Sequence, residues 1–317
     1  MMKIRLMVIA FFSFTTTLFG QAILENHPVI DMHMHVYPDG FDIPNPNTGE
    51  ILAHSAEEHR SLSLMFMEKH NVVLGAVSGV VQEDHKTISK VLNEWEKDAG
   101  DKILKGLFLG ETGYPTIDSV RAWFTSREYD FLGELGFQYD GRSPSDTTFY
   151  KYYELALEFD IPVGIHTGMS APNTPYNCCP RFRLSLGNPY LLEGLLVAFP
   201  KLRVWAMHAG GQYFNEMVTM MTMYPQLYVD ISPYTWLESG NAEILDRFLI
   251  RAKEQRVLDR VMFGSDQMRW PEAIEIAINR VKSLEYLNDQ QKANILYNNA
   301  ARFLRLSETE MAKHYGK

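Results

Sequence analysis

Cysteine is almost absent from this chain: among 317 residues there are two, Cys178 and Cys179, and they are adjacent. No disulfide framework can staple such a fold. Neighbouring Cα atoms across a trans peptide lie about 3.8 Å apart, below the usual disulfide span, so a bridge within the pair would be strained. The plain expectation is two partly buried thiols in a loop, with a redox role or a soft-metal site as the alternative. Positive charge is also in deficit, with 30 Lys and Arg against 39 Asp and Glu, a net charge of −9 and a pI near 5.6. Such a field repels phosphate backbones, which argues against nucleic-acid binding through a basic face. No GxGxxG follows the first apolar run and no GxxxxGK[ST] occurs anywhere, so the usual nucleotide-binding signatures are missing. Low-complexity linkers, charge blocks and repeats are missing too, which leaves one domain. At 46% hydrophobic and 22% charged residues, the composition is that of an ordinary globular protein and excludes disorder, collagen and coiled coil.

A long apolar run is lacking as well. The stretch from Leu6 to Phe19 is interrupted by Ser13 and Thr15 to Thr17, and it falls short of the about 20 apolar residues a membrane-spanning helix needs. Lys3 and Arg5 precede it and small Gly20 and Ala22 follow, the layout of a secretory signal peptide over residues 1–20. The mature chain, 21–317, is expected to be acidic, soluble and exported, either periplasmic or secreted, with no membrane association after cleavage.

What the chain does have is alternation. Eight short β-branched or apolar runs fall at 28–35, 72–80, 103–111, 131–139, 161–168, 202–210, 227–232 and 260–267, separated by longer amphipathic stretches. Helices are expected at 147–159, 189–199, 214–223, 241–255 and 271–284, the last with Pro271 at its opening, and a closing stretch, 288–314, packs outside the main unit. Alternation of this kind implies parallel strands joined by helical crossovers, and eight such units fit an α/β fold of the (β/α)8 TIM-barrel type with extra C-terminal helices. Two loops are long enough to suggest function, 36–54 and 169–188.

Polar residues sit at the ends of those runs. His33 and His35 close the first, two apart and therefore on one side of a strand; Glu134 lies in the fourth, His166 near the end of the fifth, His208 near the end of the sixth and Asp266 near the end of the eighth. An unpartnered buried histidine costs on the order of 1 to 3 kcal/mol, so each needs a partner. Six nitrogen and carboxylate donors on the rim where barrel active sites lie suit a divalent metal, zinc first and manganese or iron after it. His54, His59, His70, His85 and His314 fall in helices or loops and are expected at the surface or in caps, and His27 is given no role.

These residues resemble the amidohydrolase superfamily, in particular the amidohydrolase-related branch of small-molecule hydrolases, lactonases and aminocarboxymuconate semialdehyde type decarboxylases. The resemblance runs from residue 29 to about 306 and rests on DMHMH, GIHTG, MHAGG, FGSDQ and the closing YNNAARFLRL. It implies a metal at His33, His35, His166 and Asp266, with His208 either a ligand of a second metal or a catalytic electrostatic group. Glu134 discriminates: in two-metal branches a strand-four carboxylate bridges the ions, and here it favours two metals over one.

A metal lowers the pKa of bound water from 15.7 to about 7, worth on the order of 12 kcal/mol of nucleophile formation, against roughly 3 to 5 kcal/mol from general base catalysis alone. The metal therefore carries most of any hydrolysis. Water so activated attacks a carbonyl or ester carbon, Asp266 takes its proton and returns it to the leaving group, and His208 helps polarise the oxyanion. Tyr176, Arg181 and Arg183 on the second long loop, with Trp270, are the candidate substrate contacts, and the arginines suggest an anionic small molecule. Gln267, Asp230 and Glu111 are further rim candidates. The competing readings are a single-metal decarboxylase and a binding module without turnover; a homo-oligomer is compatible with each.

Overall fold

The computed structural model describes Leu24 and residues 26–316, apart from 41, 81, 82, 111, 112 and 239–241. The signal peptide expected at 1–20 and the rim candidate Glu111 lie outside the described residues. Eight parallel strands follow one another in chain order: β1 (Val29–His35), β2 (Val72–Ser78), β3 (Ile103–Leu109), β4 (Phe131–Leu135), β5 (Val163–His166), β6 (Val204–Met207), β7 (Leu227–Asp230) and β8 (Val261–Met262). Each pairs with the next, and the ring is nearly closed where Met32 donates to the Phe263 carbonyl at 2.9 Å and Asp266 to the His33 carbonyl at 2.7 Å. This is a (β/α)8 barrel. No helix among the described residues is long and apolar enough to cross a membrane.

Several helices start where a short polar side chain can accept from free backbone N–H groups. Ser55 accepts from Glu58, Asp84 from Lys86 and Thr87, and Thr116 from Ser119. Helix Phe214–Met223 has the bounds expected from its sequence, and Ala242–Glu254 lies within the expected stretch. Pro271 is not the first helical residue. It lies in the turn ahead of helix Ala273–Ser283, where the Ala273 N–H returns to the Trp270 carbonyl at 2.9 Å.

Strands β6 and β8 are shorter than their apolar runs. Past the last ladder bond the chain leaves the sheet to aim side chains over the mouth: His208 and Ala209 after β6, and Asp266 and Met268 after β8, have φ between 46° and 64°, a left-handed conformation that non-glycine residues adopt at a cost of about 1–3 kcal/mol.

The C-terminal stretch does not sit outside the main unit as expected. A π-turn at Asn294–Asn298 and helix Asn299–Leu304 place Tyr297, Ala300 and Phe303 in one buried cluster with Ile30, Met32, Phe131 and Trp205 from the starts of the strands. These apolar side chains need cover, and the amphipathic tail supplies it beneath the barrel. His59 also departs from expectation. It faces inward from helix Ala56–Lys69, buried at 3% exposure, and its Nε2 donates to the Met268 carbonyl at 2.6 Å.

Candidate metal centre

The six side chains singled out at the strand ends meet at the carboxyl end of the barrel. Donor atoms of His33, His35 and Glu134, of His33, His208 and Asp266, and of Glu134, His166 and His208 each lie within 4.8 Å of one another. Strand β1 carries both its histidines to the same side, β4 supplies Glu134, β5 ends on His166, and the left-handed turns after β6 and β8 swing His208 and Asp266 inward.

The outer nitrogen of every histidine is used by the protein. His33 Nδ1 donates to Asp230 Oδ2 at 3.3 Å and lies 3.0 Å from Ser232 Oγ. His35 Nδ1 donates to the Gly79 carbonyl at 2.9 Å, His208 Nδ1 to the Ser232 carbonyl at 3.0 Å, and His166 Nε2 to the Met169 carbonyl at 3.3 Å. Such outer partners fix the tautomer and leave the inner nitrogen as the one that can coordinate. Those inner nitrogens face one another and the carboxylates. His33 Nε2 and His35 Nε2 are 3.1 Å apart, and His166 Nδ1 and His208 Nε2 are 3.0 Å apart. Glu134 Oε1 lies 2.6 Å from His166 Nδ1, and Asp266 Oδ1 lies 3.2 Å from His35 Nε2. Asp266 Oδ1 is buried without a hydrogen-bond donor.

Lone pairs in contact with lone pairs require positive charge between them. Protons supply part of it: burial opposes a charge on His33, yet Asp230, Asp266 and Glu134 together hold it protonated well above the usual imidazole range. Burial likewise opposes ionisation of Glu134, while His33 and His166 hold its carboxyl well below the ordinary range. Burial and the neighbouring His208 push His166 down, whereas His208, despite burial, is raised through its contact with Glu134. A divalent cation would meet the same demand with nitrogen and oxygen donors of the kind zinc, manganese and iron accept. The donor set therefore fits a metal.

Two residues have roles not visible in the sequence. Asp230 ends β7: fully buried, it orients His33, and its Oδ1 accepts from the His208 backbone at 3.3 Å and from Ser232 Oγ at 2.6 Å. Gln267 clamps the backbone of His35, accepting from its N–H at 2.9 Å and donating to its carbonyl at 2.8 Å. Arg269, three residues after Asp266, was not singled out. Its guanidinium lies 4.8 Å from the ring centroid of Tyr37 and bonds its hydroxyl, and burial pushes that hydroxyl up to about 12. An arginine three residues past a candidate ligand on the β8 turn was the available signal.

Tyr176 is exposed, Arg181 is paired with Asp140 at 3.0 Å, and Arg183 donates to the carbonyls of Pro180 and Phe182 in its own loop. Trp270 is buried, donates to the Ile43 carbonyl at 3.0 Å and meets Trp236 edge-on, so it ties the 36–54 loop to the end of β8.

A parallel (β/α)8 barrel with histidines and carboxylates converging at its carboxyl end defines the class of metal-dependent barrel enzymes. The profile of the amidohydrolase family matches residues 30–306, and the chain belongs to that family, whose members bind divalent metals. No curated protein gave a match. Among solved structures, the chain is similar to a protein from Acinetobacter baumannii described as a probable 2-pyrone-4,6-dicarboxylic acid hydrolase with citric acid bound, at 14% identity and TM-score 0.61, covering 88% of this chain and 99% of that one. A 4-oxalomesaconate hydratase from Rhodopseudomonas palustris gives 14% identity and TM-score 0.57 over 91% and 98% of the two chains. A variant of 5-carboxyvanillate decarboxylase from Novosphingobium aromaticivorans, with bound manganese and a nitrobenzoic acid, gives 14% and 0.55 over 77% and 80%. At such identities these likenesses speak for the fold.

Proposed function

We propose that the protein is an exported hydrolase that cleaves a C–O or C–N bond, in an ester, lactone or amide, of a small carboxylate-bearing molecule. The observation that carries this reading is the convergence of four inner imidazole nitrogens on the carboxylates of Glu134 and Asp266, each imidazole locked by an outer acceptor. His33, His35 and Asp266 would hold one cation and His166 and His208 a second, with Glu134 shared between them. Zinc is the first choice, manganese or iron the next. A bound divalent cation supplies Lewis acidity toward the scissile carbonyl and acidifies water.

The chain's own residues do the rest. Asp266, whose Oδ1 has no donor of its own, accepts the proton of the attacking water and returns it to the departing alcohol or amine. His208, whose Nδ1 lies 3.8 Å from Asp266 Oδ2, would help polarise the carbonyl oxygen. Arg269 and Tyr37 offer N–H and O–H donors beside Asp266 for a substrate carboxylate. Carboxylic acids in the ligands and substrates named for the similar structures support that class. Export rests on the layout of residues 1–20, and the N-terminal sequence of protein recovered from the cell exterior tests it.

Elemental analysis of protein purified without added metal or chelator tests the centre. Wild type is expected to carry about two divalent ions per chain and Glu134→Ala about one, while Asp266→Asn keeps most of its metal and loses turnover of ester, lactone and amide substrates by about 10²-fold or more. About one ion in both proteins, with CO2 released from an aromatic carboxylic acid, would replace this reading by a decarboxylase.

A further inference from the structure

The adjacent cysteines, which the proposed reaction leaves unused, are not the free thiols expected from the sequence. Cys178 and Cys179 are joined as a disulfide, their Cα atoms 3.8 Å apart. The pair lies in the loop between β5 and β6, where Cys178 is exposed and Cys179 fully buried. Cys179 forms a small apolar cluster with Tyr139 and Phe182. The ring of Tyr139 is 5.2 Å from that of Phe182 and 5.2 Å, edge-on, from that of His166.

A second, polar connection runs the same way. The N–H groups of Cys178 and Cys179 both donate to the Thr174 carbonyl, at 3.2 and 3.1 Å. The Tyr139 hydroxyl donates to Ser170 Oγ at 2.9 Å; Ser170 Oγ lies 3.0 Å from Thr174 Oγ1, and Thr174 Oγ1 donates to the Ala171 carbonyl at 2.6 Å. Next in the chain to Ser170 is Met169, whose carbonyl receives His166. The two sulfurs are thus coupled to a residue of the metal centre through a packed ring and through a file of hydroxyls.

We propose that Cys178–Cys179 is a thiol–disulfide exchange site whose oxidised form holds this loop and Tyr139 against His166, and whose reduction by a dithiol releases them. A thiolate of the reductant attacks Sγ of exposed Cys178; the S–S bond breaks, and Cys179 leaves with the electron pair and takes a proton. The reductant's second thiolate then closes on its own sulfur in the mixed disulfide, and Cys178 leaves and is protonated. Two electrons and two protons pass to the protein and the reductant becomes a disulfide. Reduction leaves two separate thiols where the pair was joined, and each must be accommodated by its own neighbours. Cys179 is enclosed by Tyr139 and Phe182, so accommodating its thiol displaces that cluster or the loop. The inference does not depend on the reaction proposed above, because its test reads the sulfurs and the loop directly.

The experiment uses the full chain purified without reductant. Thiols are titrated in denaturant with 5,5′-dithiobis(2-nitrobenzoate) before and after treatment with tris(2-carboxyethyl)phosphine, and amide hydrogen exchange is followed by mass spectrometry in both states. The expected result is no reactive thiol before reduction and both cysteines reactive after it, with exchange over residues 174–183 faster by about tenfold or more and exchange in β1 unchanged. The doubly substituted Cys178→Ser, Cys179→Ser protein should match the reduced state and ignore the phosphine. Two thiols before reduction, or loop exchange unaltered by reduction, would overturn the proposal, and the wild-type comparison decides it even where the variant does not fold.

Discussion

The carboxylate of Asp230 touches His33, the backbone of His208 and both the N–H and the hydroxyl of Ser232; its place at the end of an apolar run marks it as a rim candidate but does not name these partners. The ligand candidates were legible because a histidine or carboxylate inside an apolar strand is costly unless something answers it; such a residue stands out on its own. The groups that answer are 197 positions away for Asp230 and His33 and 232 away for Gln267 and His35, so the sequence offers the residues but not which of them answers which. His59 is the opposite case, a histidine expected at the surface or in a cap because it falls outside the apolar runs. Burial holds its pKa down to about 4, against 6.5 for an ordinary imidazole. Between those values the unfolded chain binds the proton and the folded one does not, so stability from this residue is complete above pH 6.5 and is lost as pH falls toward 4. The gap corresponds to about 3 kcal/mol at most, and to about 2 kcal/mol at pH 5. Urea unfolding at pH 7 and pH 5 should show the loss in wild type diminished by about that amount in His59→Gln. An equal pH dependence in the two proteins would mean that His59 is not buried neutral.

The number and order of the strands were legible at the scale of elements because eight apolar runs alternate with amphipathic ones, and the hydrophobic periods change with them. Strand ends were not, because β5, β6 and β8 stop where backbone turns rather than apolar residues give out. The turn after β5 shows why. Gly168 has φ +84°, and a Cβ there would stand 2.9 Å from the backbone of Gly210, the glycine of the turn after β6. The two turns that carry His166 and His208 therefore touch main chain to main chain, and only glycine permits it. Gly168→Ala forces a left-handed alanine and separates the turns, at a cost of about 1–3 kcal/mol for the conformation alone. The expected outcome is a lower urea midpoint together with weaker divalent-metal binding in a chelator competition. Unchanged metal affinity beside lost stability would show that the contact holds the fold and not the spacing of the two histidines.

Considered whole, the barrel divides its labour between its ends, and the sequence showed one end better than the other. The carboxyl end announces itself through histidines and carboxylates; the amino end is closed by apolar residues of a tail that read as an appendage, since YNNAARFL has a helical pattern that says nothing of what it covers. Phe303 packs 5.6 Å from Trp205 and 4.9 Å from Tyr228, ring to ring, and its carbonyl accepts from Arg203 at 2.9 Å. Trp205 lies on β6, three residues before His208 in the turn that follows it, so one strand serves both ends. Residues at the amino end of such a barrel act on stability and those at the carboxyl end on chemistry. Phe303→Ala leaves a cavity beneath the strands and should remove about 3–5 kcal/mol of folding free energy, seen as a lower urea midpoint. Its metal content and chelator-competition profile should stay those of wild type under conditions where both proteins are folded. Loss of metal with the fold intact would mean that packing beneath the barrel sets the geometry at its mouth, and that the two ends are not independent.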